Sequence, residues 1–317
     1  MPLPLSALLI ALPTLLYARW VRNIDHFEKE PPKYVAAAFL WGAVPAALLA
    51  LILQLTLSVP TLVLLGEEGS DVILSVIYAP VTEELVKGLA VAFLYFWRRR
   101  EFDGWVDGIV YGATVGFGFA YVENILYLAN TETLGDWVEL FFLRVIVFGF
   151  LHGFYTSLIG IGFGLARYAP TDAHKLSYIA GGFAAAIVTH AIHNGSLVLA
   201  GAVGPSAICG TLLNYALLFG LLLSLRFVSR RNDQQMFKTY LADEVPSVLP
   251  PQVYDALCAL RLSALPQPRA AFLQAAAELA QRKKQYVRHG EIPSPDEIAS
   301  LRATLSQMCA RTLRETQ

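Results

Sequence analysis

Long apolar stretches dominate the pattern of this chain, and short polar segments separate them. A helix needs about 20 apolar residues to cross the hydrocarbon core of a bilayer. The pattern therefore predicts about seven membrane-spanning helices, over residues 3–20, 34–59, 72–97, 105–129, 139–166, 177–200 and 207–228. The expected fold class is all-α, a polytopic membrane helix bundle in residues 1–228 that would form the functional core.

The remainder of the chain, residues 229–317, has a different character. It is polar, and prolines interrupt its first part at Pro246, Pro250, Pro251, Pro266 and Pro268. Helical patterns follow over residues 269–284 and 295–312. The prediction is a small helical cytoplasmic tail, whose role the sequence does not indicate.

Basic residues occur in every second loop between the apolar stretches. They follow the first, third, fifth and seventh stretches, as at Arg22, Arg98, Lys175 and Arg230, whereas the other loops carry none. Lys and Arg are retained on the cytoplasmic side of a membrane. The pattern predicts an N-terminus outside and a C-terminus in the cytoplasm.

Composition supports a membrane protein over an ordinary soluble domain. Hydrophobic residues make up 56% of the chain, charged residues 15%, and the mean hydropathy is +0.51. No basic residue precedes the first apolar run, which therefore reads as a membrane span and not as a secretory signal. The three cysteines, Cys209, Cys258 and Cys309, lack the spacing of a metal site, and no structural disulfide is expected.

Glycines recur at every fourth position at the start of the fourth span, at Gly104, Gly108, Gly112 and Gly116. This spacing puts them on one helix face and allows another backbone to approach closely. The fourth span is therefore predicted to be a central helix of the bundle.

Charged groups in the third span form the first candidate for a functional site. Glu83, Glu84 and Lys87 lie within one helical turn, although each charge at mid-membrane costs about 2.5–3.5 kcal/mol on insertion. Lys87 can neutralise one carboxylate, which leaves the other available as a general base. A buried ion pair that fixes the position of the helix is the alternative interpretation.

Three later spans contribute further polar groups: Glu123 with Asn124, then His152, then His190 with His193 and Asn194. Taken singly, each has a structural interpretation, such as an interfacial glutamate or a hydrogen-bonded histidine. Their depths argue for one site. At 1.5 Å per residue, Glu83 lies roughly 16 Å below the outer face, Glu123 roughly 10 Å, His190 roughly 15 Å and His152 roughly 12–20 Å.

Acids and histidines gathered in a hydrated intramembrane site can activate water for peptide hydrolysis. The sequence lacks G-x-S-x-G and H-E-x-x-H, which disfavours a serine mechanism and a zincin helix. A metal site drawn from several helices stays open, with zinc bound by Glu83, Glu123, His152 and His190. A metal-free mechanism that uses glutamate-activated water is equally open.

Four motifs, in order on separate spans, resemble the PrsW family of intramembrane proteases, a family related to the CPBP (CAAX-protease and bacteriocin-processing) group. They are E-E-x-x-K (Glu83, Glu84, Lys87), F-x-x-x-E-N (Phe119, Glu123, Asn124), H-G-x-x-T (His152, Thr156) and H-A-x-x-N (His190, Asn194). The first motif departs from the usual E-E-x-x-x-R of that group. The second has Glu123 where the group carries His.

The resemblance implies catalytic or metal-binding roles for Glu83, Glu84, Glu123, His152 and His190, with Lys87, Asn124, His193 and Asn194 in support. It also implies location in a bacterial cytoplasmic (inner) membrane. The expected partners are the lipid bilayer and a membrane-anchored protein substrate, such as an anti-sigma factor or similar regulator. No nucleic-acid partner is expected.

Two other function classes compete with a protease. A proton-coupled transporter or channel could use an intramembrane Glu/His relay, but no inverted repeat is visible. A catalytically inactive scaffold is the other, but it is disfavoured because neither Glu83 nor His190 is missing.

Overall fold

A computed structural model describes residues 1–24, 30–99, 101–289 and 295–315. These residues are almost entirely helical, and no β-strand occurs among them, which confirms the all-α class. The helices are α1 (Leu3–Arg22), α2 (Pro32–Trp41), α3 (Ala47–Ile73), α4 (Ala79–Trp97), α5 (Trp105–Ala129), α6 (Leu134–Phe141), α7 (Leu151–Ala166), α8 (Asp172–Val203), α9 (Ile208–Tyr240), α10 (Pro251–Cys258), α11 (Arg269–His289) and α12 (Pro295–Glu315).

Five helical stretches of the described residues are long and apolar enough to cross a membrane: Leu3–Arg22, Pro32–Trp97, Trp105–Ala129, Asp172–Val203 and Pro205–Tyr240. The second has 66 residues and covers two of the predicted spans. They meet near Gly66, where a φ of 73° interrupts the helix, a conformation that glycine adopts without strain.

The predicted span over 139–166 is the one that is not a continuous helix. Residues Phe142–Val147 are π-helical and a turn follows before α7 begins at Leu151. Gly42–Ala46 and Leu74–Tyr78 are also π-helical, but there the chain continues into the next helix.

The outer surface of the bundle is apolar. Val63 is 80% exposed, Leu64 79% and Leu8 70%, whereas Glu84 and Lys87 are fully buried. Exposure of so large an apolar surface to water is unfavourable, whereas its contact with lipid chains is not. The burial pattern is therefore that of an integral membrane protein.

Helix α5 packs backbone-to-backbone against α7 along its glycine face. Gly108 faces Gly160, Gly112 faces Thr156, and Gly116 faces His152. Each four-residue step along α5 matches a four-residue step back along α7, so the two helices are antiparallel and in fixed register. A Cβ atom on Gly112 would lie 2.5 Å from the carbonyl oxygen of Thr156. The glycine series thus packs α5 tightly, as predicted.

A second compact unit begins at Leu223 and contains the end of α9 with α10–α12. Phe237, Leu257 and Phe272 are fully buried in its core. Glu244 is buried beside them and accepts hydrogen bonds from Lys283 and Arg302. Burial alone would raise the pKa of Glu244, but these two partners lower it below the usual value of a glutamate.

We expect Gly112→Val to destabilise the bundle, because the new side chain would meet the Thr156 backbone, which cannot move without α7. Overpacking of this kind costs about 1–3 kcal/mol. Thermal unfolding in detergent measures the effect. Gly181→Val is the matched control, because a Cβ atom there has nothing within 4 Å. Equal melting temperatures for the two variants would contradict the close packing of α5 and α7.

Candidate active site

The ammonium group of Lys87 lies at the centre of a buried polar cluster. It donates to Glu84 Oε1 at 2.8 Å, to His152 Nδ1 at 3.1 Å and to Glu83 Oε2 at 3.3 Å. Its Nζ also lies 4.0 Å from the centre of the Phe119 ring. A lysine has three N–H donors, so this arrangement uses all of them. Lys87 therefore connects helices α4, α5 and α7 through one charge.

Glu84 is fully buried and each of its oxygens has a partner. Oε1 accepts from Lys87 and lies 3.1 Å from His190 Nδ1, while Oε2 accepts from the Thr156 hydroxyl at 3.0 Å. The carboxylate is thus fixed by groups from α4, α7 and α8. Its position suits a residue that holds other groups in place.

Glu83 is held less tightly and is 5% exposed. Gln54 of α3 donates to Oε1 at 3.2 Å, and Lys87 donates to Oε2 at 3.3 Å. Oε2 also lies 4.0 Å from His190 Nε2. Glu83 thus accepts two hydrogen bonds and Glu84 has three partners, so Glu83 has the greater capacity to accept another.

Glu123 lies on the far side of His152. Its Oε2 is 2.8 Å from His152 Nε2 and also accepts from Arg144 Nη2 at 2.8 Å. The Arg144 guanidinium donates through Nε to Asn124 Oδ1 at 2.9 Å and stacks 3.7 Å from the centre of the Tyr127 ring. Arg144 is therefore the counter-ion of Glu123.

These contacts define one hydrogen-bonding scheme for the two imidazoles, assigned from their partners. His152 donates from Nε2 to Glu123 and accepts from Lys87 at Nδ1. His190 donates from Nδ1 to Glu84, so its Nε2 carries a lone pair on the side of Glu83. A carboxylate that orients a histidine in this way fixes its tautomer.

Aromatic rings enclose the histidines. The Tyr155 ring stacks on His190 with centroids 4.7 Å apart, and the rings of His152 and His190 lie 5.2 Å apart, edge to face. Tyr155 is fully buried. The rings thus limit the access of water to the cluster.

Two residues predicted to support the site lie outside this hydrogen-bonded cluster. His193 packs its ring 5.6 Å from that of Phe148. Asn194 donates to the carbonyl oxygen of Ser75 at 2.8 Å and so joins α8 to the π-helical turn before α4. Asn124 contacts Arg144 and not the glutamates of α4.

Glu83, Glu84, His152 and His190 form a group that could hold a metal ion, with one ligand atom from each within 4.8 Å of the others. The predicted set has Glu123 in place of Glu84, and Glu123 contacts this group through His152. Carboxylates and imidazoles are suitable zinc ligands. However, Lys87 already donates to three of the four groups, so an ion does not fit among them while the ammonium is present.

Comparison with known proteins identifies the family. The family model described as PrsW family intramembrane metalloprotease matches residues 30–225, more than half of the chain. The chain belongs to the PrsW family. The matched region contains every residue of the polar cluster.

Curated relatives agree with this assignment to the PrsW family. The chain is 34% identical over 145 residues to Protease PrsW of Geobacillus kaustophilus, which covers 46% of this chain and 59% of the relative. It is 29% identical over 152 residues to Protease PrsW of Bacillus subtilis, covering 47% and 63%. The chain thus spans about three-fifths of the length of these relatives. No solved structure matches it.

Three residues of the cluster were not predicted from sequence: Arg144, Gln54 and Tyr155. Arg144 carried a usable signal, because it is a charge inside a predicted span and such charges are costly there. Many membrane helices contain glutamines and tyrosines. Nothing in the sequence therefore distinguished Gln54 and Tyr155 from residues without a role in the cluster.

We expect Arg144→Gln to destabilise this PrsW family member, because it leaves the Glu123 carboxylate without its counter-ion. Both side chains are 21% exposed, so the cost should be about 2 kcal/mol, below that of a fully buried pair. A double-mutant cycle with Glu123→Gln, measured by unfolding in mixed micelles, should give a coupling of about 0.5–3 kcal/mol.

Arg144→Lys is the matched control for this cycle. It keeps the charge but loses the planar fork that reaches Glu123 and Asn124 together, so its effect should be intermediate. Strictly additive effects of Arg144→Gln and Glu123→Gln would show that the two side chains do not interact.

Proposed function

We propose that this chain is an intramembrane peptidase that hydrolyses a peptide bond of a membrane-anchored protein with a water molecule activated by Glu83. The observation that carries the proposal is the buried cluster itself. Glu83, Glu84, Lys87, His152 and His190 come from three apolar helices, α4, α7 and α8, and contact one another. Ionisable groups inside a membrane are costly and mark functional sites.

The balance of charge supports a proton-accepting role for one acid. Glu83, Glu84 and Glu123 exceed the two fixed cations, Lys87 and Arg144, by one negative charge when both imidazoles are neutral. Glu84 and Glu123 have short contacts to their cations, at 2.8 Å each, whereas Glu83 lies 3.3 Å from Lys87. Glu83 is thus the carboxylate held least closely by a cation, which suits a general base.

A water molecule between Glu83 and His190 has suitable partners. Glu83 Oε2 and His190 Nε2 are both acceptors and lie 4.0 Å apart. A water about 2.8 Å from each would donate one hydrogen to each and keep a lone pair for attack. The position corresponds to that of a general base in contact with its water.

Hydrolysis then needs no covalent intermediate. The water oxygen bonds to the scissile carbonyl carbon as Glu83 takes its proton, and the carbonyl oxygen becomes an oxyanion. Lys87 supplies positive charge close to the developing oxyanion. When the C–N bond breaks, Glu83 returns the proton to the leaving nitrogen, so atoms and charge balance and the carboxylate is regenerated.

The substrate class follows from the setting of the site. The cluster is buried within apolar helices, so a substrate segment reaches it from the membrane. Relatives with the name Protease PrsW support the peptidase class. We propose a membrane-anchored regulator, such as an anti-sigma factor, as substrate. We also propose kinship with the CPBP group from the paired-acid motif, and a functional core in residues 1–228 with residues 229–317 as a cytoplasmic tail.

Proteolysis of single-span reporter substrates by the purified protein tests the proposal. Glu83→Gln should lower the rate by about 10²–10⁴-fold, the usual contribution of a general base, and His190→Ala and Glu84→Gln should also abolish cleavage. A chelator should leave the wild-type rate unchanged.

Glu139→Gln is the matched control, because Glu139 is an exposed glutamate of α6 outside the cluster. It should cleave at the wild-type rate. Wild-type rates for Glu83→Gln, Glu84→Gln and His190→Ala together would show that the proposed site is wrong.

The loop charges support a specific orientation in the bacterial inner membrane, with the N-terminus outside and the C-terminus in the cytoplasm. A phosphatase fused to the N-terminus should be active outside, and a fluorescent protein fused to the C-terminus should be fluorescent inside the cell. The opposite pattern would place the site in the cytoplasmic half of the membrane and contradict the proposed depth.

A further inference from the structure

The groups around the Lys87 ammonium are arranged as ligands are around a bound cation. Its three N–H groups point to Glu83, Glu84 and His152 at 2.8–3.3 Å, and its side chain is fully buried. Three of the four groups able to bind a metal therefore coordinate the ammonium instead. Lys87 lies on the same helical turn as the two glutamates, so helix α4 itself places a positive charge among these groups.

His152 makes the choice of cation exclusive. An imidazole that donates from Nε2, as His152 does to Glu123 at 2.8 Å, has a single lone pair on Nδ1. That lone pair accepts from Lys87. It can bind the ammonium or a metal ion, but it cannot bind both at once.

The surroundings favour the ammonium. The Phe119 ring faces Lys87 Nζ at 4.0 Å, a distance at which an aromatic face attracts an ammonium group, but the ring offers no ligand to zinc. A divalent ion beside the ammonium would also put two cations into one buried space, where their repulsion is weakly screened.

We propose that the Lys87 ammonium is the resident cation of this site, and that a divalent metal ion binds to the four-residue group only when the ammonium is removed. The family description names a metalloprotease, and the donor set is of the right kind. The lysine, however, occupies that set. The inference concerns the same cluster as the proposed peptidase, but its test needs no turnover.

Titration of the purified full chain with Co²⁺ tests the proposal, because Co²⁺ bound by oxygen and nitrogen ligands has a visible absorption spectrum. Lys87→Met should bind close to one ion per chain, roughly tenfold or more tightly than the wild type. Metal analysis after equilibration with Zn²⁺ gives a second readout. Lys175→Met is the matched control, because Lys175 is a partly exposed lysine paired with Asp172, and it should behave as the wild type.

Two results would overturn the proposal. Tight binding of one ion by the wild type, equal to that of Lys87→Met, would show that ammonium and metal coexist. Weaker binding by Lys87→Met than by the wild type, or none by either, would show that the lysine does not keep an ion out. If Lys87→Met fails to insert, Lys87→Gln replaces it, since its amide can still donate to the carboxylates. Loss of cleavage in the reporter assay has no bearing on these outcomes.

Discussion

The contact between the backbones of α5 and α7 sets the position of the polar groups in this protein. Without side chains at Gly108, Gly112 and Gly116, the two helices approach until main-chain atoms touch, and the antiparallel register is fixed at every fourth residue. That register places His152 against Gly116 and Thr156 against Gly112. A shift by one helical turn would move both groups by about 5.4 Å and break their hydrogen bonds to α4. In lipid, where apolar helices gain little from hiding from solvent, such close packing is a main source of stability.

The second constraint is electrostatic, because a buried charge must either be paired with an opposite charge or be neutralised. Each carboxylate of the cluster meets a cation: Glu83 and Glu84 share Lys87, and Glu123 pairs with Arg144. Lys87 lies closer to Glu84 than to Glu83, so the two adjacent glutamates differ in their capacity to accept further hydrogen bonds. Glu84 has three hydrogen-bond partners, whereas Glu83 has two and keeps room beside His190. The same Lys87 that makes two buried acids tolerable also fills the space between the groups that resemble a metal site.

Sequence reasoning predicted the helical class and brought the acids and histidines to one depth, because hydrophobic periodicity and the rise per residue fix position along a helix axis. They do not fix rotation about it. Glu123, predicted among the metal-binding groups, contacts His152 at Nε2, whereas Lys87 contacts it at Nδ1. Asn194, predicted to support the site, donates to the carbonyl oxygen of Ser75. The span predicted over 139–166 is interrupted after the π-helical turn at Phe142–Val147, so regular helix geometry does not give the position of Arg144.

The π-helical turns explain how irregular backbone is kept inside an apolar bundle. A main-chain carbonyl without a partner is costly in lipid, so neighbouring side chains must supply one. Asn194 donates to the Ser75 carbonyl in the turn before α4, and the Tyr17 hydroxyl donates to the Val145 carbonyl in the turn that carries Arg144. Both turns adjoin residues of the cluster, as π-helical turns at functional sites often do. The polar residues of this bundle therefore have two roles. Some form the cluster, and others stabilise the irregular backbone segments that position it.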